Sequence, residues 1–252
     1  MSERIHILGV PIDAVTEAEA ADHIDQFLVS REQHHVMTPN PEMLVKAHSD
    51  PYFHALLHRT ALNVPDGVGL LFAARLQKKR LPCRVTGVDL LVRICANPAA
   101  SPVFFLGAAP GIAEQAAAAL QSRFPALQIA GTFAGSPHLH EEQTIIDRIN
   151  ASGARTLFVA FGAPVQDLWI DWVLKRLQTV RVAMGVGGAF DFLAGRQQRA
   201  PQWMQRIGTE WLWRLIKEPR RFNRIRRAVV VFPFLVLMEW LGALLQGEAS
   251  RT

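Results

Sequence analysis

Short apolar runs alternate along this chain with longer stretches in which apolar residues recur at helical spacing. The apolar runs predict seven strands, at residues 4–8, 34–38, 61–64, 102–107, 127–131, 156–162 and 180–187. Several of these runs are apolar almost throughout, which is typical of parallel strands that helices cover on both faces. The alternation therefore predicts βαβ units and an α/β fold built on an open, mainly parallel sheet.

Three segments between the strands carry clear helix signals. Residues 16–30 open with Thr16 followed three residues later by Glu19, the spacing of a capping box. Residues 111–124 are rich in good helix formers. Residues 141–153 end on Gly153, which suits a left-handed helix cap. These signals place helices where βαβ crossovers need them.

The pattern changes after residue 200. An arginine-rich run at 218–227 is followed at once by an apolar run at 228–238, and tryptophan is dense just before them, at Trp203, Trp211 and Trp213. The apolar run is shorter than the roughly 20 residues that a membrane-spanning helix needs. We predict a catalytic domain at 1–200 and a basic, amphipathic, helical appendage at 201–252, hereafter the C-terminal appendage.

The basic and apolar runs together suggest how the C-terminal appendage is used. Arginines next to an apolar stretch favour a helix that lies on an anionic membrane, so we predict that residues 219–245 bind a membrane surface. The alternative is a helix packed on the domain with its arginines in solvent. An amphipathic tail of this kind also favours self-association, so a homo-oligomer is a further expectation.

Composition narrows the class of protein. Half of the 252 residues are hydrophobic, which is enough for a sizeable core, and the formal net charge of +5 favours an anionic partner. The two cysteines, Cys83 and Cys95, are too few for a disulfide framework, and we expect two buried thiols in a reducing compartment. The first residues lack the apolar region of a signal peptide, so we expect a cytoplasmic location.

Candidate chemistry follows four of the predicted strands. Polar side chains combine with glycine or proline at residues 38–42, 65–69, 162–167 and 185–191. Ligands bind outside the carboxyl ends of the strands in an open α/β sheet, and glycines let them approach backbone N–H groups. A fifth turn of this kind, at 107–111, has no reactive side chain. The four clusters therefore predict one binding site along one edge of the sheet.

Each of these side chains also has a purely structural interpretation. Asp66 is a candidate cap for the helix that begins after Gly67, and Thr38 and Asn40 suit turn motifs. Gln166 and Asp191 suit surface positions at helix starts. The sequence alone leaves these alternatives open.

Several motifs are absent from the sequence. No Asp-x-Asp pair occurs to hold a divalent metal, and neither a GxxxxGK[ST] loop nor a GxSxG elbow is present. The paired histidines at 34–35 and 138–140 lack a third ligand nearby, and loop or edge positions explain them better. We therefore expect no metal site and no cofactor.

Seven stretches, in order, resemble the WecG/TagA/CpsF family of glycosyltransferases. They are TPNPEML (38–44), NVPDGVGL (63–70), RVTGVDL (84–90), VFFLGAAPG (103–111), GAPVQD (162–167), GVGGAFDFLAG (185–195) and RAPQWMQRIGTEWLWRLIKEPRR (199–221). The resemblance runs from about residue 5 to residue 227, and an ordered set is more specific than any single motif. The apolar tail at 228–245 extends beyond it.

The resemblance implies a single Rossmann-like domain with a helical appendage. It implies inverting, metal-free transfer of an N-acetylhexosamine-type sugar from a UDP-sugar to a polyprenyl-diphosphate-linked acceptor in cell-surface polysaccharide synthesis. Such an enzyme is expected at the inner face of the cell membrane, attached peripherally. The residue that matches the family's proposed general base is Asp66. The residues that match the family's substrate-binding positions are Thr38, Asn40, Arg84, Gly107, Gln166, Gly187 and Asp191. The positions that match arginines for the acceptor diphosphate are Arg214, Arg221 and Arg224.

Two other classes of function stay open on the sequence alone. The first is a nucleotide-dependent oxidoreductase, although no GxGxxG follows the first strand. The second is a non-enzymatic adaptor that binds nucleic acid or a membrane, as the positive charge allows. The charge is concentrated in the C-terminal appendage rather than spread as a stripe with stacking aromatics, which argues against nucleic acid.

Overall fold

A parallel sheet with helices on both faces forms the centre of the molecule. The computed structural model describes residues 3–249, so residues 1–2 and 250–252 of the two predicted segments lie outside the described residues. Six strands form the sheet, and every pair of neighbours is parallel. The predicted α/β fold with a mainly parallel, Rossmann-like sheet is confirmed.

The chain begins with a hairpin that stands apart from this sheet. Strands β1 (Arg4–Ile7) and β2 (Val10–Asp13) pair antiparallel. The segment at 4–8 does contain a strand, but that strand pairs with β2 and does not join the parallel sheet. The prediction that it belongs to a βαβ unit is therefore wrong. Only Leu8 and Gly9 join the two strands, and both have positive φ. So short a turn joins antiparallel strands, because a parallel pair needs a long crossover.

The order of the six parallel strands decides which loops meet. Along the sheet the strands follow the order β4-β3-β8-β7-β5-β6. Their bounds are β3 His34–Met37, β4 Leu62–Asn63, β5 Val103–Gly107, β6 Ile129–Phe133, β7 Thr156–Ala160 and β8 Val182–Gly185. The carboxyl ends of β4, β3, β8 and β7 therefore lie side by side, whereas β5 and β6 lie beyond them.

In the described part of the domain, eight α-helices lie between successive strands and a ninth, α9, follows the last strand. They are α1 Glu17–Val29, α2 Pro41–Ser49, α3 Pro51–Arg59, α4 Val68–Leu76, α5 Gly87–Ala96, α6 Ile112–Arg123, α7 Leu139–Ser152, α8 Val165–Val173 and α9 Ala189–Leu193. The predicted capping box is present at the start of α1, where Thr16 and Glu19 exchange hydrogen bonds. Gly153 ends α7 with φ 68°, as the sequence predicts.

Alternate residues of the strands supply the two faces of the core. Phe105 and Phe158 pack on one face, where the ring of Phe105 lies 5.4 Å from that of Phe190 on α9. Phe104 and Leu157 belong to the opposite face, which α7 and α8 cover. Apolar area buried on both faces stabilises a strand that has no polar side, which explains the continuous apolar runs in the sequence.

The C-terminal appendage contains four further helices. They are α10 Gln202–Arg206, α11 Glu210–Lys217, α12 Phe222–Arg226 and α13 Phe232–Ala249, with a π-helical turn at Arg227–Val231. Helix α13 docks on the domain because Phe232 and Val236 are buried among residues of α2, α4 and the hairpin. Its Glu239 accepts hydrogen bonds from the Leu8 N–H at 3.3 Å and the Gln77 amide at 3.1 Å.

The opposite face of the same region is apolar and exposed. The exposed large apolar side chains in the described part of the C-terminal appendage are Trp203, Ile207, Trp211, Leu212, Ile216, Phe222, Val230, Phe234, Leu237, Met238, Leu241 and Leu245. Arg220, Arg226 and Arg227 are exposed in the same segment. Between residues 3 and 249, no helix combines the length and apolar character needed to cross a bilayer. The two interpretations of the tail are therefore compatible, since one face packs on the domain while the other remains open to a membrane. The boundary at residue 200 stays a prediction.

Candidate active site

A cavity of about 300 Å³ opens at the carboxyl ends of β4, β3, β8 and β7. The structure brings all four predicted clusters to it, represented by Thr38, Asn40, Asp66, Gln166, Gly187 and Asp191. The predicted arginines of the C-terminal appendage, Arg214, Arg221 and Arg224, line the same cavity from the other side. The domain and the C-terminal appendage therefore enclose one space between them.

Two predicted residues stand elsewhere. Arg84 lines a neighbouring cavity rather than the first one. Gly107 is not among the lining residues of either cavity, because β5 lies beyond β7 in the sheet. Its φ is 98°, and a Cβ atom there would lie 2.9 Å from the Ala160 carbonyl carbon. Close packing of two strand ends therefore explains this glycine.

Asp66 occupies the wall that the two cavities share. It is not a helix cap, because α4 begins at Val68 with Gly67 as N-cap and no side-chain cap. Removal of the carboxyl from bulk water raises its pKa to about 6, while the charges of Arg84 and Arg214 act in the opposite direction. Such a carboxyl is ionised at neutral pH and still binds a proton readily, which suits a general base.

A second carboxylate holds these two arginines. Glu210, at the start of α11, is 8% exposed and accepts hydrogen bonds from Arg84 Nη2 at 3.2 Å and from Arg214 Nη2 at 3.1 Å. The bridge links the segment before α5 to the C-terminal appendage. Arg214 Nε is buried and has no hydrogen-bond partner within residues 3–249. This donor is available to an anionic ligand.

Asn40 and Thr38 lie on the loop after β3. Asn40 caps α2, since its side-chain oxygen accepts a hydrogen bond from the Met43 N–H at 3.0 Å. The capping interpretation is therefore correct for Asn40, which also lines the cavity. A Cβ on Gly87 would lie 3.3 Å from Thr38 Oγ1, so a glycine at this point leaves the threonine hydroxyl room beside α5.

Gln166 is a buried structural link and not a surface residue. Its side-chain oxygen accepts hydrogen bonds from the Gly162 N–H at 3.1 Å and the Gly187 N–H at 2.9 Å. One amide thereby fixes the loops that follow β7 and β8. A Cβ on Gly185 would lie 2.5 Å from the Gln166 amide nitrogen, so this position has room only for glycine.

Asp191 lies in the first turn of α9, and the C-terminal appendage reaches it through Arg221. Burial raises the pKa of the Asp191 carboxyl, and the charge of Arg221 opposes the rise. Arg221 also approaches the glycine loop, since a Cβ on Gly188 would lie 3.9 Å from its Nη2. The guanidinium therefore stands beside the loop that follows β8.

The three arginines of the C-terminal appendage each have a carboxylate partner. Arg214 pairs with Glu210 at 3.1 Å, Arg221 with Glu218 at 2.5 Å, and Arg224 Nε with both oxygens of Glu42 at 2.9 Å. These pairs hold the guanidinium groups at the cavity while leaving part of each fork unused. An arginine donates up to five hydrogen bonds, so each retains donors for phosphate oxygens.

The second cavity, of about 550 Å³, adjoins the first. Its outer wall is apolar and comes from α4, α11, the π-helical turn and the start of α13, with Val68, Phe72, Trp211, Val229 and Pro233. Its inner wall carries Asp66 and the same three arginines. The cavity thus runs from a charged end at Asp66 to an apolar end at the exposed surface of the C-terminal appendage.

The described residues contain no group of three or more histidine, cysteine or acidic side chains that suits a metal ion. His34 and His35 lie on β3, an inner strand, so the prediction of a loop or edge position is wrong for this pair. Cys95 is buried as predicted, whereas Cys83 is partly exposed, and both are free. Burial raises the pKa of the Cys95 thiol to about 12, which keeps it protonated.

Three residues at the site were not among the predicted site residues, although Glu42 belongs to the predicted cluster at 38–42. Glu210 bridges two arginines, Glu42 holds Arg224, and Arg199 pairs with Asp89 at 2.6 Å while lining the cavity. Their partners lie at least 110 residues away in sequence, apart from the pair within α11. The only local signal is their place within or next to the quoted stretches.

Comparison with known proteins identifies the family to which this chain belongs. The sequence profile of the "Glycosyl transferase WecG/TagA/CpsF family" matches residues 5–245. The apolar tail is therefore within the family's shared length, and the expectation that it extends beyond is wrong. An N-acetylglucosaminyldiphosphoundecaprenol N-acetyl-beta-D-mannosaminyltransferase of Bacillus spizizenii is 33% identical over 192 residues, 75% of this chain and 74% of that protein.

A protein with the same name from Staphylococcus aureus is 28% identical over 242 residues, which is 92% of each chain. The range of the family profile, residues 5–245, spans the loops that line the cavity and most of the C-terminal appendage. The family profile likewise includes Asp66 and the three arginines. The chain belongs to the WecG/TagA/CpsF family of glycosyltransferases.

Proposed function

We propose that this enzyme transfers an N-acetylmannosaminyl-type sugar from a UDP-sugar to a polyprenyl-diphosphate-linked sugar, with inversion at the anomeric carbon. The observation that carries the proposal is Asp66, a carboxylate between a polar cavity and an apolar cavity that share three arginines. Two relatives are named for transfer of N-acetylmannosamine to a diphosphoundecaprenol-linked acceptor. The UDP group follows from the family resemblance.

The donor is assigned to the first cavity. The glycine loop after β8 lets a ligand approach the backbone, and Gln166 holds that loop in place. The leaving diphosphate gains negative charge as the sugar departs, and Arg214 Nε and Arg221 supply positive charge at this point. We expect neutralisation by arginine rather than by a metal ion.

The acceptor is assigned to the second cavity. A diphosphate between Arg214, Arg221 and Arg224 would place the acceptor sugar toward Asp66 and the prenyl chain toward the apolar outer wall. The exposed apolar face of the C-terminal appendage, with its arginines, suits an anionic membrane that holds such a lipid. We propose attachment through residues 219–245 at the inner membrane face.

The chemical step then needs one base. The acceptor hydroxyl attacks the anomeric carbon from the face opposite the UDP group, and its proton passes to Asp66. A carbon–oxygen bond to the acceptor forms while the carbon–oxygen bond to UDP breaks with its electron pair. One carboxylate is sufficient for inversion, because no glycosyl-enzyme intermediate has to form. A carboxyl with a pKa of about 6 is poised for this role at neutral pH.

The first experiment measures binding and transfer separately. Calorimetry against UDP, UDP-N-acetylmannosamine, NAD and a DNA duplex identifies the ligand class. The Asp66→Asn variant should bind UDP as the wild type does and lose about 10²–10⁴-fold in transfer to an N-acetylglucosaminyl-diphospho-lipid. Turnover close to wild type in this variant would remove Asp66 from the mechanism, and binding of NAD without UDP would refute the donor.

A further inference from the structure

The two arginines whose charges act on the proposed base are hydrogen-bonded to a different carboxylate. Arg84 and Arg214 approach from different elements, and both donate a hydrogen bond to Glu210 instead of Asp66 in the described part of the chain. Each uses an Nη2 atom, and each contacts a different oxygen of Glu210. Each oxygen of the Glu210 carboxylate therefore holds one of the two guanidinium groups.

Burial makes this bridge more than a surface ion pair. Glu210 is 8% exposed, and its partners are partly withdrawn from solvent. A buried carboxylate with two guanidinium partners is firmly placed, because loss of either hydrogen bond would leave a charge poorly solvated. The bridge therefore fixes where two positive charges lie relative to Asp66.

Asp66 is surrounded by charged groups from several elements. They are Arg84 before α5, Glu210 and Arg214 on α11, Arg199 before α10, Arg224 on α12 with its partner Glu42 on α2, and Arg221 and Asp191 across the cavity. Arg199 and Arg221 are paired in turn with Asp89 and Glu218. A direct arginine contact would hold Asp66 as a paired carboxylate and weaken it as a proton acceptor.

We propose that Glu210 is a positioning residue that holds Arg84 and Arg214 away from Asp66 and thereby keeps the base free to accept a proton. The inference rests on the proposed role of Asp66. Glu210 lines both cavities, but in this scheme it acts through the two arginines and takes no part at the reacting atoms. It also joins the domain to the C-terminal appendage, so the base is properly set only when the two are docked.

The directions in which the neighbouring charges shift the pKa of Asp66 agree with the geometry of the bridge. The charges of Arg84 and Arg214 lower the pKa of the Asp66 carboxyl, and the charge of Glu210 raises it. Replacement of Glu210 by glutamine removes the negative charge at nearly constant volume and frees at least one guanidinium to turn toward Asp66. The proton affinity of Asp66 should therefore fall.

The test titrates Asp66 directly and does not depend on turnover. Carbon-13 NMR follows the Asp66 carboxyl against pH, and the signal is assigned by its absence in Asp66→Asn. In Glu210→Gln the midpoint should move down by about one pH unit or more. The matched control is Glu239→Gln, which removes a carboxylate of α13 that bonds only Leu8 and Gln77 in the described part of the chain. That control should leave the midpoint in place.

Two more variants distinguish the loss of arginine positioning by Glu210 from a general disruption of the fold. Arg214→Gln removes a positive charge, so the Asp66 midpoint should move up. In the Glu210→Gln, Arg214→Gln double variant the two shifts should largely cancel, which a merely disrupted structure would not produce. These measurements also serve if Glu210→Gln alone does not fold.

Transfer measured over the same pH range separates this inference from the proposed function. The acid limb of the rate should follow the Asp66 midpoint downward in Glu210→Gln, with a loss at neutral pH of up to about tenfold for each unit by which the midpoint falls. An unmoved midpoint in Glu210→Gln and in Arg214→Gln would overturn the role of Glu210. A midpoint that moves without the acid limb following would uphold the placement by Glu210 and overturn Asp66 as the base.

Discussion

Asp66→Asn should make the folded protein more stable at neutral and alkaline pH while it removes the proposed base. The unfolded carboxyl ionises near pH 3.8, whereas the folded one ionises near pH 6. Between these values the unfolded chain has released a proton that the folded protein retains, so rising pH favours unfolding. The stability attached to Asp66 is thus complete below pH 3.8 and is lost as pH rises through about 6.

The size of the effect follows from the same two values. One pKa unit corresponds to about 1.4 kcal/mol, and the folded and unfolded pKa values of Asp66 differ by about two units. Because Asp66 keeps some exposure to the cavity, we expect its ionisation to lower the free energy of unfolding by about 2 to 3 kcal/mol. Asparagine has nearly the same shape and does not ionise. The variant should therefore exceed the wild type by up to this amount at pH 8, and the difference should vanish near pH 3.8.

Urea unfolding followed by tryptophan fluorescence at several pH values measures this difference. Asp89→Asn provides a control of opposite sign. Burial acts to raise the pKa of Asp89, but hydrogen bonds from Arg199 and Thr86 outweigh it and lower the pKa. Asp89→Asn should therefore destabilise the protein at high pH. A stability difference for Asp66→Asn that does not change with pH would refute the reasoning about desolvation.

Three further predictions concern the loops, the tail and the metal. Gln166→Ala should weaken UDP binding measured by calorimetry and cost about 1 to 3 kcal/mol of stability, because two backbone N–H groups lose their acceptor; unchanged binding would contradict the linking role. Phe234→Ser with Leu241→Ser should reduce co-sedimentation with anionic liposomes without unfolding the protein, since both side chains are exposed; retention by the vesicles would exclude this face. EDTA should leave transfer intact, and loss of activity with recovery on added magnesium or manganese would refute the metal-free mechanism.

Family membership decides among the functions that the sequence left open. A glycosyltransferase profile over residues 5–245 places the chain in an enzyme family, which argues against both the oxidoreductase and the non-enzymatic adaptor. The structure adds a cavity at the strand ends where the polar clusters converge. The donor identity, the inversion at the anomeric carbon and the membrane attachment are proposals that the experiments above test.

Much of the fold is encoded in local patterns. Alternation of apolar runs and helical segments is sufficient to predict the parallel sheet, because strands buried on both faces have no polar positions. The capping box at Thr16 and the left-handed glycine at Gly153 are likewise local, since their partners lie within a few residues. The ordered stretches of the family resemblance identify Asp66 and the three arginines as candidate site residues from the sequence alone.

Only the tertiary structure decided which of these residues meet. Strand order depends on long crossovers and long-range packing, so the sequence could not show that β5 lies beyond β7 and carries Gly107 away from the cavity. The hairpin at the start of the chain differs, because its strand pairing is set locally by the two-residue turn at Leu8 and Gly9. The bridge by Glu210 joins residues 126 positions apart, and the raised pKa of Asp66 results from burial and from charges on separate elements. Local sequence specifies which groups are present, and the packing of distant elements specifies how their charges act on one another.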